Sequence, residues 1–164
     1  MSRGFALVAL LALAGCAAPS EPLDAAFAPL VRVEQDETCL VRPHMLTTIE
    51  TVSYVPSLAV FDADYPPGSL ARHAVLDHER LHAERQAALG ARWFALYAAY
   101  PSFRWSEESL GWAVELKERL AGGEVVFAGP VAALLSGPAY TDPLGRTMVD
   151  YVTALTWAVG VGCR

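Results

Sequence analysis

The sequence predicts an α+β fold, a small antiparallel sheet followed by several helices. Two features of its layout predict this. Short runs rich in Val, Ile and Thr with partial alternation, the pattern of strands, stand in the stretch before residue 62. From Leu70 onward, apolar residues recur at helical spacing and are interrupted only near Pro and Gly. Strands first and helices after is the order of an α+β chain. With 164 residues, 54% of them apolar and 18% charged, the chain can bury the core of one ordinary domain. The net charge of −6 leaves no basic footprint for nucleic acid, and no phosphate-cradling Gly loop or internal repeat is present.

The first element is a targeting segment and takes no part in the fold. Arg3 supplies a positive charge, and Phe5 to Ala14 is an apolar run too short to span a bilayer. It ends in Leu13-Ala14-Gly15-Cys16, which resembles the bacterial lipoprotein signal. That resemblance implies a signal peptide over 1–15 and lipidation of Cys16 as the mature N-terminus. More than one acyl chain gives stable anchoring. Ala17 stands where Asp would retain a lipoprotein in the inner membrane, so the resemblance favours the outer membrane, on its periplasmic side. Residues 16–30 then read as a flexible tether rich in Ala and Pro, leaving 31–164 as a single domain. Setting Cys16 aside leaves Cys39 and Cys163. In an oxidising compartment these suggest one disulfide, which would be worth ~4–5 kcal/mol for so long a loop.

Within the domain, Val31 to Cys39 carries a short alternation, and Met45 to Tyr54 is strand-like. Pro56 interrupts, and Leu58 to Phe61 is a further short apolar run, so two or three antiparallel strands are expected. Asp62 to Ser69 is a loop, with Ser69 placed to cap a helix. Helical patterning follows from Leu70 to about Tyr100, divided at Gly90 and stopped by Pro101. Ser106 is expected to open the next helix, which runs to about Ala121 before Gly122-Gly123. Val125 to Leu135 is apolar but broken by Gly129-Pro130. Asp142-Pro143 is expected to cap and start a last helix ending near Val159.

The chemistry centres on His78-Glu79-Arg80-Leu81-His82. Residues four apart on a helix share a face, so the two imidazoles can point at one ion, with Glu79 in reach of a water held there. Imidazole suits zinc, and a hydrolytic zinc site has three protein ligands and one open position. The motif, on a helix preceded by strands in an exported chain, resembles the zincin metallopeptidases. The tract from about Tyr65 through Gln86 also resembles uncharacterised exported bacterial proteins predicted to be zinc-dependent proteases. By this resemblance His78 and His82 are metal ligands, Glu79 is the catalytic base, and a peptide or protein is the substrate. In the gluzincin group the third ligand is a glutamate on a following helix. Glu108 and Glu115, seven apart on one face with Trp112 between them, are the candidates here, beside Glu107. Each has a structural alternative: Glu115 can pair with Arg119, and Glu107 and Glu108 suit the first turn of a helix.

The surroundings depart from the zincin pattern. Arg80 and Glu84 put charge where uncharged residues are usual, and Arg85 falls on the ligand face. Asp77, Arg80 and Glu84 can equally form ordinary exposed pairs worth ~0.2–0.5 kcal/mol each. Asp150 could orient a ligand histidine or face outward, His73 is turned away, and His44 could join only from afar. No Gly-x-Ser-x-Gly elbow is present. Two functions are therefore carried forward: an envelope-anchored zinc hydrolase, or a non-catalytic envelope lipoprotein with a vestigial motif.

Overall fold

The computed structural model describes residues 32–35, 46–141 and 145–164. The signal segment, Cys16, the tether, Cys39, His44 and Asp142 lie outside the described residues. The fold is α+β, a three-stranded sheet followed by helices. Strands β1 (Arg32–Gln35), β2 (Thr47–Ile49) and β3 (Val52–Val55) lie in the order β1–β3–β2. The sheet is mixed where an antiparallel one was expected. β2 and β3 form an antiparallel hairpin, but β1 pairs with β3 in parallel. A parallel neighbour cannot be joined by a tight turn, and β2 lies between the two in sequence.

Two expected elements change identity. The run from Met45 to Tyr54 is two strands, turning at Glu50, whose φ is 56°. A non-glycine residue is uncommon there; Glu50 is held by its backbone N–H, which donates to Gln86 Oε1 at 2.7 Å. The run from Leu58 is not a strand but the start of helix α1 (Leu58–Asp64), capped by the Ser57 hydroxyl. Four apolar residues are too few for periodicity to separate the two.

Helix α2 (Leu70–Leu89) begins as expected, with the Arg72 N–H bonded to Ser69 Oγ at 3.1 Å. Gly90, at φ 57°, separates it from α3 (Ala91–Ala99). Helix α4 (Pro101–Ala121) starts at Pro101 rather than Ser106. Proline fits the first helical position, where no N–H is needed, so Pro101 both follows the expected stop of α3 and opens α4. Helix α5 (Ala128–Leu135) tolerates Pro130 because it lies in the first turn. After a short 3-10 turn, Pro138–Tyr140, the last helix α6 (Tyr151–Val161) is capped by Asp150, whose carboxylate accepts the Thr153 N–H at 2.9 Å. The helix thus begins later than Pro143, and Asp150 is an exposed cap rather than an acid behind a ligand. Among the described residues no helix is long and apolar enough to cross a membrane.

Two apolar clusters hold these elements. One packs Val33, Val55, Phe61, Val75, Leu76 and Ala83 between the sheet, α1 and α2. The other joins α4, α5 and α6 through Leu116, Val131, Leu135, Ala154 and Ala158, and includes Cys163. Cys163 has no disulfide partner among the described residues.

Between the clusters, α2 and α4 meet through charged side chains. Buried on α2 are His78, Glu79, His82 and Gln86; buried on α4 are Arg104, Glu107, Glu108 and Glu115. Taking a charge out of water costs several kcal/mol unless it is paired. A seam of this kind is a poor way to gain stability and a common mark of a functional site.

Candidate metal centre

The imidazoles of His78 and His82, one helical turn apart on α2, face α4 with their Nε2 atoms 3.0 Å from each other. Glu108 reaches across from α4, its Oε2 3.7 Å from His78 Nε2 and its Oε1 3.6 Å from His82 Nε2. These three residues form a buried group that could hold a metal ion. Ligands about 2.0–2.1 Å from a tetrahedral ion stand roughly 3.3 Å apart. The observed triangle brackets that spacing, so modest side-chain adjustment would admit an ion.

The groups behind the triangle are equally specific. Glu115 Oε2 lies 3.1 Å from His78 Nδ1, on the far side of the ring from Glu108. Its other oxygen accepts from Arg119 at 3.1 Å. Glu115 is therefore not part of the triangle. It has the place of a carboxylate that orients a ligand histidine and fixes its tautomer. The Tyr97 hydroxyl donates to Glu108 Oε1, and the edge of Trp112 packs on His78 with ring centroids 5.6 Å apart. Gly111 of α4 makes the approach possible: a Cβ there would come within 2.2 Å of His78 Cδ2.

The hydrogen-bond bookkeeping of the imidazole pair is constrained. Two Nε2 atoms at 3.0 Å need one proton between them. Burial acts to lower the pKa of His78, but hydrogen bonds to Glu108 and Glu115 outweigh it and raise the group to about 10. His78 is then the donor to the His82 ring, whose other nitrogen is Nδ1. That buried Nδ1 has no hydrogen-bond partner. Burial likewise acts to raise Glu108, and the imidazoles of His82 and His78 prevail and hold it well below the usual carboxylate range.

Glu79 points to the other side, toward the sheet. Its Oε2 accepts a hydrogen bond from the Thr48 hydroxyl of β2. The charges next to the motif are paired. Arg85, on the ligand face, makes two 2.5 Å bonds to the fully buried Glu107, which also accepts from Trp93 Nε1 at 2.9 Å. Glu107 is thereby committed to Arg85. Arg80 pairs with Asp77 at 3.1 Å on an exposed face, with Glu84 beyond it at 3.8 Å.

The structure therefore brings together His78, His82 and Glu108, sets Glu115 behind His78 and Glu79 against Thr48, and leaves Glu107 and Asp150 outside. Thr48, Ser53, Tyr97 and Gly111 were not singled out from the sequence. Only Gly111 carried a signal, as a glycine inside a helical pattern on the face shared by Glu108 and Glu115. No family model, no curated protein and no solved structure matches the chain.

Proposed function

We propose that this chain is a zinc-dependent hydrolase of peptide bonds, held in the bacterial envelope by lipid on Cys16. The reading is supported above all by the triangle of His78, His82 and Glu108 with Glu79 one residue from a ligand. Two imidazoles and a carboxylate are a donor set suited to zinc with a fourth position left for water or substrate. Bound zinc supplies a Lewis acid that polarises a carbonyl and makes water acidic near neutral pH. The chain's own groups do the rest. Glu115 holds the His78 ring in the tautomer that presents Nε2. Tyr97 fixes one oxygen of Glu108. Glu79 takes the proton of the attacking water and passes it to the leaving amine. β2, the edge strand among the described residues, carries the Thr48 that meets Glu79.

A second reading has one observation behind it. His78, His82, Glu79 and Glu108 are each no more than 5% exposed, as expected of a metal that only holds α2 to α4 in a non-catalytic envelope lipoprotein. Two measurements separate the readings. Protein purified without a His tag is expected to contain about one zinc per chain, lost in His78→Ala and His82→Ala. Zinc-loaded protein is expected to cleave a dye-quenched casein, and Glu79→Gln to keep the metal and lose cleavage. Metal without cleavage in the wild type selects the structural reading; no metal at all removes both.

A further inference from the structure

Thr48 and Ser53 are the opposed pair of the β2–β3 hairpin, Thr48 on β2 directly across from Ser53 on β3. Their hydroxyl oxygens lie 2.5 Å apart, and Thr48 Oγ also touches Glu79 Oε2. Proton counting gives the chain a direction. The Thr48 hydroxyl donates to Glu79 Oε2, so its single proton is used there. The proton between the two hydroxyls must then come from Ser53. The order is Ser53 O–H to Thr48 Oγ, and Thr48 O–H to Glu79 Oε2. Such chains polarise each link and strengthen the last one.

The donor is itself held in place. The Thr48 carbonyl accepts from Gln86 Nε2 at 2.8 Å, and Gln86 Oε1 accepts the Glu50 N–H. Gln86 lies seven residues beyond Glu79, two turns along the same face of α2. β2 is therefore pinned to α2 at two points, one of which is the carboxylate. Ser53 is completely buried and Thr48 nearly so. On the same face of the sheet, Val33 and Val55 supply the apolar packing, so the hydroxyl pair is not needed for that.

We infer that Thr48, supported by Ser53, is the positioning residue of Glu79: it occupies Oε2 and leaves Oε1 as the oxygen that takes the water proton. The inference rests on the hydrolase reading of the site. It places the hairpin in the function of the chain, which the sequence motif alone does not.

The test uses the full chain loaded with zinc, dye-quenched casein as probe, and the variants Thr48→Val, Thr48→Ser and Ser53→Ala. Thr48→Val keeps shape and removes the donor. It should retain zinc and KM and lose about 10–100-fold in kcat, the cost of a misplaced catalytic group. Thr48→Ser restores the hydroxyl and should return kcat to within about threefold of wild type. Ser53→Ala leaves Thr48 donating and should fall between them. A role in packing alone would instead rank the variants by melting temperature, with the fully buried Ser53 at least as sensitive as Thr48. Crystals of zinc-loaded Thr48→Val should show the Glu79 carboxylate turned from its wild-type position, with His78, His82 and Glu108 unmoved. Unchanged kcat in Thr48→Val, or an unmoved Glu79, overturns the inference. A wild-type zinc protein that leaves casein intact overturns the hydrolase reading, and the crystals still decide whether Thr48 positions Glu79.

Discussion

At the scale of single residues, His78 concentrates the consequences. In the metal-free protein its folded pKa, about 10, stands above the ordinary 6.5 because Glu108 and Glu115 outweigh the cost of burial. A raised imidazole stabilises while it is protonated. Its contribution is complete below the unfolded value and is lost as pH rises through the folded one. The melting temperature of chelator-treated protein should therefore decline between pH 6.5 and 10, and in His78→Gln the decline should be flatter. Metal must displace that proton. Zinc affinity, followed by competition with a chromophoric chelator, should rise with pH at a slope near one proton per ion, about tenfold per unit. Glu115→Ala removes no ligand but frees the His78 ring, and about 10–100-fold weaker zinc binding is expected in the same titration. The motif itself was legible because spacing on one helix is local. The choice between Glu108 and Glu115 was not. Both share a face of α4, and which one meets the triangle depends on where α2 crosses it.

At the scale of elements, that crossing is set by Gly111. Any side chain there meets the His78 ring, so Gly111→Ala must either displace the imidazole or spread the helices. A destabilisation of ~1–3 kcal/mol is expected from the overpacking, together with loss of zinc, by denaturant melts and metal analysis. The rest of the α2–α4 seam is tied by Arg85 to Glu107. Arg85→Ala leaves a fully buried carboxylate with only the Trp93 N–H, and ~1–3 kcal/mol of destabilisation follows from the unmet hydrogen bonds. The helices of this seam could be read from periodicity and the Ser69 cap, and Pro101 does stop α3, but it also opens α4 in place of Ser106. A proline ends one helix and starts another equally well. The hairpin turn was hidden for a different reason. Glu50 adopts a positive φ without being Gly or Asn, because its N–H is held by Gln86, thirty-six residues away. Such long-range support leaves no local trace.

At the scale of the whole molecule, two apolar clusters flank a charged seam, and the seam is the only place where the α2 side meets the α4–α6 side through buried polar groups among the described residues. A ligand bound there acts on the whole fold. At a free concentration one hundred times its dissociation constant, a metal seen only by the native state adds ~2.7 kcal/mol. Zinc should raise the melting temperature by several degrees, chelator should reverse the rise, and His82→Ala should show neither effect. The α+β order was legible from the sequence because composition shifts at residue 62. The mixed sheet was not, since β1 gives no sign of which edge of β3 it will join.

The aromatic rings beside the two imidazoles have a practical consequence. Trp112 sits on His78, and Trp93 sits on His82 with centroids 6.1 Å apart, while Trp105 and Trp157 meet each other edge-on. Two of the four indoles in the chain are thus built-in optical probes of one imidazole each. Occupation of the centre by a paramagnetic ion such as Cu²⁺ would quench their emission and spare the other pair. Trp93→Phe and Trp112→Phe would then report separately which ligand closes first.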